Sequence, residues 1–552
     1  MDSAILSLLG AFLLSIIGLF VFMWSMRKGL LVENPKAAAA IFASGEIGHT
    51  DDPALRPEQR AALQAAAGAP DPHIAHGPSA EELAERVAAD ASSRQPVLLF
   101  ISMACLWLLV GSVFGLTASL KLHMPDWLVG EAWQTFGRIR TMHLWGVLYG
   151  WITNAALGVI LWLMPRLMRT PLVHGCWAMA GGVLINIAVA CTLVAFGAGW
   201  TAGMEYLEMP WQIGTLVVAG MACVIYSAYS TVAQRKAESL YVTSWYHLAA
   251  ILWIALLFIV AKMPGVHYGV QQATTNWWYG HNVLGLWFTP VSVGAIYYFL
   301  PKIIARPIRS YNLSILGFWT LAFFYGQVGG HHLVGGPVPG WLITLSIVQS
   351  MMMIIPVAAF SINMAHTMWG RMHLVRYSPT LRFMMFGGVM YMLSSLQGSF
   401  EALRAVNQVT HFTHFTVAHA HLGAYGFVTM VLFGAIYFMM PRLLQREWPF
   451  PRLISLQFWL AAVGITIYFV GLTIGGWLQG EYMLDAAKPF MDSVAVTIPY
   501  LKSRSVGGAL MLASHLVFVG HVLAMALRMG PARTEPAMFT SNPKMMELAH
   551  GE

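Results

Sequence analysis

Residues 416–427, "TVAHAHLGAYGF", carry two histidines, His419 and His421, separated by one alanine in an otherwise apolar run. On a helix, residues two apart point about 200° away from each other, so the two imidazoles serve different partners on opposite faces. Neutral imidazole is the commonest protein metal ligand, and two metal centres flanking one helix use both rings. Four further histidines extend the pattern: His143 in "FGRIRTMH", His281 in "WWYGHNVLGLWF", and the adjacent His331 and His332 in "FFYGQVGGHHLVGG". Adjacent histidines diverge on an intact helix, but the glycines before and after this pair break it and let the rings converge. Three converging imidazoles suit copper, iron or zinc.

Of the 552 residues, 57% are hydrophobic and only 10% charged, a composition that excludes a soluble protein and defines an integral membrane one. Apolar stretches of about 20 residues recur at 4–25, 97–120, 141–164, 171–199, 211–232, 243–262, 277–300, 311–334, 340–365, 383–400, 415–440, 453–479 and 504–528. The fold class expected is all-α: a polytopic bundle of twelve helices with one extra N-terminal transmembrane helix. The net charge of +7 sits at helix ends and does not indicate nucleic-acid binding. From the second span onward, alternate loops hold fifteen Lys and Arg against eight in the others, which places the richer set in the cytoplasm. All six histidines then lie in the outer half of the membrane. Four cysteines without CxxC or CxxCH spacing give neither a disulfide framework nor a covalently attached c-type haem, so electrons come from partners.

Residues 1–32 read as a single-span anchor: basic residues follow the apolar run in "MWSMRKGLL" rather than precede it, unlike a cleaved leader. Residues 33–94 read as a polar linker, 95–530 as the twelve-helix catalytic domain, and 531–552 as a cytoplasmic tail. Three helices end at "LMPRLM", "FLPKII" and "MMPRLL", where proline stops the helix and a cation follows. His281, His331 and His332 facing a high-spin haem would make a binuclear centre. One of His419 and His421 then supplies that haem's axial ligand, and the other pairs with His143 on a six-coordinate haem.

Taken in order, "FGRIRTMH", "WYGHN", "YGQVGGHH", "ALRAVNQVTH" and "VAHAHLGAYGF" make residues 95–530 resemble subunit I of the haem-copper oxidases, most closely the cbb-type cytochrome c oxidases. The resemblance implies a terminal respiratory oxidase of the bacterial inner membrane, with its metal site in the periplasmic half. It would reduce dioxygen to water with electrons from c-type cytochrome subunits, coupled to proton translocation. It implies His143 and His421 on low-spin haem b, His419 on high-spin haem b, and His281, His331 and His332 on copper. Tyr325 stands where the family has a tyrosine cross-linked to the first copper histidine, a source of a proton and an electron. Thr289, Tyr297 and Ser314 are the implied proton path to Tyr325. Arg138, Arg140 and Arg404 are candidates for haem propionates, and Glu205 for a calcium ion. His411 and His414 lie on the same outer rim without a metal role. The N-terminal segment is similar to short single-span oxidase assembly proteins. One position departs from the family pattern: Gln397 stands where relatives carry a glutamate ten residues before Asn407.

The alternative is a nitric oxide reductase, which holds a non-haem iron. Iron there favours a carboxylate ligand, and those reductases carry a glutamate four residues after the first metal histidine. Here that position is Gly285. A non-catalytic haem relay or transporter would leave the triad and Tyr325 without a role.

Overall fold

The computed structural model describes residues 33–68 and 78–533, with Phe20, Met23, Trp24 and Arg27 from the N-terminal segment. The span expected over 4–25 and most of the expected tail therefore lie outside the described residues. Among these, the regular structure is helical, apart from one isolated bridge between Arg446 and Ala532. Ten helices are long and apolar enough to cross a membrane. They are α1 (Ala80–Lys121), α2 (Phe136–Met168), α3 (Gly175–Ala198), α4 (Trp211–Ala233), α5 (Val242–Lys262), α6 (Gly269–Ile304), α8 (Gly340–Met368), α10 (His414–Leu444), α11 (Pro451–Leu484) and α12 (Phe490–Ala526). Two more helices, α7 (Tyr311–Tyr325) and α9 (Pro379–Glu401), pack in the same bundle. The stretch expected to be helical to 334 stops at Tyr325, and a short 3-10 turn, Gly330–Leu333, carries His331 and His332.

Three helices form the centre. The apolar windows of α2, α6 and α10 are 94%, 89% and 83% buried, whereas no other spanning helix exceeds 56%. Each carries at least one of the six histidines near its start, followed within a turn by a π-helical stretch: Gly146–Ile152 after His143, Val283–Phe288 after His281 and Leu422–Thr429 after His421. The widened turn frees backbone carbonyls, and threonine hydroxyls recover two of them, Thr153 Oγ1 to Leu148 O and Thr429 Oγ1 to Ala424 O, both at 2.9 Å. All three helices close on a left-handed residue, Arg169, Ala305 or Gln445.

The prolines of the three Pro-cation signals do not stop their helices, which run on to Met168, Ile304 and Leu444 and end at the left-handed residues instead; the cations beside them have a different task. Each cation is met by an acid nearer the N-terminus: Arg166 by Asp90 in the polar start of α1, and Lys302 and Arg442 by Glu46 and Asp51 of the segment that precedes the bundle. Residues 33–68 carry two short helices, Pro35–Ala39 and Pro57–Ala67, and bury Ile41, Leu55 and Leu63 against the end of the bundle opposite the histidines. Outside the membrane spans, burial raises the Glu46 carboxyl, but Lys302 and Arg86 outweigh it and hold the group down at about 2. Helix α1 starts at Ala80, well before its apolar run, because Ser79 and Glu82 form a reciprocal capping box (Glu82 N to Ser79 Oγ 3.1 Å, Ser79 N to Glu82 Oε2 2.9 Å).

Both members of the Arg166–Asp90 pair are buried, and Arg166 Nε donates to Asp90 Oδ1 at 2.7 Å. Asp90→Ala would strand a buried guanidinium, at an expected cost of about 3–5 kcal/mol. Glu85→Gln, facing the half-exposed Arg169, should cost under about 1 kcal/mol. Thermal unfolding of the two purified variants checks the contrast.

Candidate metal centre

His281, His331 and His332 come together with their ligand atoms all within 4.8 Å of one another, the one such group of His, Cys, Asp or Glu among the described residues. The expected convergence at the glycine break is therefore present. Ser350 fixes one of these rings. Its hydroxyl donates to Ser346 O (2.7 Å), so its contact with His331 Nδ1 (3.0 Å) must have the imidazole donating. That tautomer leaves His331 Nε2 with a free lone pair for a metal. The His332 ring stacks on Trp277 with centres 4.2 Å apart.

Tyr325 stands beside the triad, its ring centre 5.3 Å from that of His281. The ring packs over Gly285 so closely that a β-carbon there would lie 1.7 Å from two of its atoms. A side chain at 285 and this tyrosine ring exclude one another.

Helix α10 separates two cavities. One, of about 790 Å³, is lined by His419 together with His281, His331, Tyr325, Thr289 and Tyr391. The other, of about 940 Å³, is lined by His421 together with His143, Tyr468, Arg504 and His515. The two-residue spacing thus puts His419 and His421 into different cavities. His143 Nδ1 lies 2.8 Å from Gly111 O and His421 Nδ1 2.8 Å from Val417 O. A carbonyl only accepts, so both rings donate from Nδ1 and keep Nε2 for a ligand. Their centres are 6.3 Å apart and their planes within 11°. Two imidazoles on one axial metal, with bonds of about 2.0–2.1 Å and the ring radius beyond, have centres roughly 6 Å apart, so the residues fit a bis-histidine haem. Glycine makes room for both kinds of ligand: a β-carbon at 115 would lie 2.5 Å from the His143 ring, and one at 398 would lie 2.7 Å from that of His419. The Tyr468 hydroxyl, 3.1 Å from His421 Nε2, is the group a metal there would displace.

The remaining expected residues scatter. Arg140 forms an ion pair with Glu205, Arg138 Nη1 donates to Gly197 O (2.8 Å), and Arg404 Nη2 reaches Thr344 Oγ1 (3.2 Å) at the surface. In the same loop as Glu205, burial pushes the Glu208 carboxyl up to about 7 although Trp145 Nε1 donates to it at 2.8 Å. Thr289 lines the first cavity, while Tyr297 and Ser314 are buried away from it. The Gln397 amide oxygen is buried without a hydrogen-bond partner. The buried carboxylate on the same helix is Glu401, one turn on, which accepts from the Thr416 hydroxyl. Sequence reading missed Arg504 at the haem-sized cavity, the orienting Ser350, and His515, held between Ser112 Oγ (2.7 Å) and Tyr425 Oη (2.9 Å). Buried serine and histidine on apolar helices carry no local signal of which face they occupy.

Residues 95–510 match the family "Cytochrome C and Quinol oxidase polypeptide I", and the chain belongs to it. It is 32% identical over 463 residues to a cytochrome c oxidase subunit 1 homolog of Agrobacterium tumefaciens, spanning 80% of this chain and 84% of that one. It is 31% identical over 467 residues to the Cbb3-type cytochrome c oxidase subunit CcoN1 of Stutzerimonas stutzeri, 81% and 98% of the two chains. A nitric oxide reductase chain of the same organism is 24% identical over 467 residues, 76% and 94% of the two chains. A solved heme-copper terminal oxidase dimer shares the fold with a TM-score of 0.67 at 16% identity, over 83% of this chain and 89% of that one.

Proposed function

We propose that this polypeptide is the catalytic subunit of a cbb-type cytochrome c oxidase, which reduces dioxygen to water. The observation that carries the reading is the Tyr325 ring packed on Gly285 beside an all-histidine triad. A carboxylate ligand four residues after His281 has no room while that ring is in place, which disfavours the iron site of a nitric oxide reductase. When bound, two haems b and a copper ion supply electron transfer and dioxygen chemistry.

The chain's own residues do the rest. His143 and His421 would hold the low-spin haem through Nε2, with Tyr468 giving up its contact to His421, and His419 would hold the high-spin haem. His281, His331 and His332 hold copper, with Ser350 fixing the His331 tautomer. Tyr325 delivers a proton from its hydroxyl, and joined to His281 it can also give an electron. Thr289, Tyr297 and Ser314 feed that proton from the face opposite the histidines, which positive-inside loops make cytoplasmic. Arg140 and Arg138 at the histidine face serve propionates, with Arg504 added from the cavity lining and Arg404 further out. Glu205 would give one carboxylate to a calcium ion in exchange for its ion pair with Arg140. The electrons come from c-type cytochrome subunits in a bacterial inner membrane.

Two experiments test this. Purified complex should consume dioxygen with a reduced c-type cytochrome and leave nitric oxide largely unreduced; the opposite preference sinks the reading. Gly285→Glu should expel the Tyr325 ring at a cost of about 1–3 kcal/mol and abolish oxygen uptake. Retained uptake and unchanged thermal stability would show that the steric exclusion is not real.

A further inference from the structure

We infer that Glu33, outside the twelve-helix bundle, is the carboxylate that collects protons for the column leading to Tyr325. This rests on the oxidase reading. Glu33 is exposed, yet it accepts from the hydroxyl of Ser310, which is buried at the start of α7, and from Tyr311 N at 3.1 Å. Helix α7 ends in Tyr325. Between the two ends lies a set of buried polar side chains from four helices. Asn363 of α8 bonds both backbone groups of Ser310 (3.0 and 2.7 Å). Ser314 of α7 and Tyr297 of α6 are fully buried, and the Tyr297 hydroxyl has no hydrogen-bond partner among the described residues. Phe360 stands edge-on to both Tyr297 and Tyr391 of α9 (ring centres 5.5 and 5.2 Å apart), and Tyr391 lines the cavity that holds Tyr325.

Six other described acids on this face are committed elsewhere, Glu82 accepts from Ser79 N and the exposed Ser44, and the exposed Glu58, Glu81 and Glu238 make no hydrogen bond to a buried hydroxyl among the described residues. Glu46, Asp51, Asp90, Glu85 and Glu447 each face a cation. Asp52 is fully buried and accepts from Ser378, Thr380 and Ala54. Among the described residues, Glu33 alone joins solvent to a buried hydroxyl without a cation on its carboxylate. The transfer is of protons only. Glu33 takes one from water and, once protonated, donates it to Ser310 Oγ, whose own proton turns away from Glu33 to a water molecule at the foot of the column; that water hands a proton on towards Tyr325, so each group ends as it began.

The test uses the complete oxidase complex. Glu33→Gln keeps hydrogen-bonding atoms for Ser310 and Tyr311 but cannot carry a proton. Its steady-state oxygen uptake should fall by about tenfold or more, with the alkaline limb of the pH profile moved to lower pH. Glu33→Asp should recover most of the rate, and haem and copper contents should stay at wild-type values in both. A Glu33→Gln enzyme with wild-type turnover and pH profile would overturn the proposal. So would equal losses in both variants accompanied by reduced haem content, which would make Glu33 a helix-capping group only. Wild-type complex that takes up no dioxygen with a reduced donor would instead remove the oxidase reading, and this proposal with it.

Discussion

Substituting His421 by alanine is expected to leave a protein with one haem b instead of two, without the six-coordinate spectrum and with turnover at background. The expectation follows from pairing. The His421 and His143 rings line one cavity with centres 6.3 Å apart and planes within 11°, and neither has a neighbouring histidine able to replace it in that cavity except His515. His515 is already held at both nitrogens, by Ser112 and Tyr425. The triad lies on the other side of α10 and should keep its metal. His419→Ala should do the reverse, because its ring opens into the cavity shared with His281, His331 and Tyr325. The check is a haem count with an optical spectrum of the reduced protein. Two haems retained in His421→Ala, or loss of the triad's metal with the low-spin haem intact, would contradict the division of labour between the two histidines.

Tyr325→Phe should cost at least about 100-fold in oxygen reduction while leaving metal and haem contents unchanged. The variant removes one oxygen atom, and the phenyl ring still fills the space above Gly285. A packing role would therefore survive the change, whereas a proton-donating role would not. The same variant cannot form the bond to His281, so the mass of the peptide carrying both residues distinguishes a linked from an unlinked pair in the parent protein. Near-normal turnover of Tyr325→Phe would reduce Tyr325 to a ring that shapes the cavity.

Two relations among the six histidines were legible because they are local, whereas the meeting of His143 with His421 and of His281 with the pair joins distant segments. A two-residue spacing decides opposite faces, and Gly329 and Gly330 decide that a helix cannot carry His331 and His332 past one another. The central helices were legible as apolar runs with repeated proline-cation ends. What those cations do was not. Arg166, Lys302 and Arg442 find their acids 76, 256 and 391 positions away in the chain, too far for any periodic pattern to report. The segment holding two of those acids is alanine-rich and polar, so it reads as a linker, yet it docks by charge and by a few buried side chains such as Ile41 and Leu63. The early start of α1 did have a signal, the serine and glutamate three apart at 79 and 82, which a search for apolar length passes over. The π-helical stretches left no mark in composition. Asn363 and Tyr391 stayed hidden because a polar residue on an apolar helix looks the same whether it faces a cavity or a neighbouring backbone.

The metal content of the purified polypeptide tests the oxidase assignment most directly. Copper and iron per chain should be measured beside the number of haems b. An all-histidine triad beside a bis-histidine haem predicts one copper and two irons, both irons accounted for by haem. No copper, together with a third iron outside haem, would contradict it and return the protein to the nitric oxide reductases.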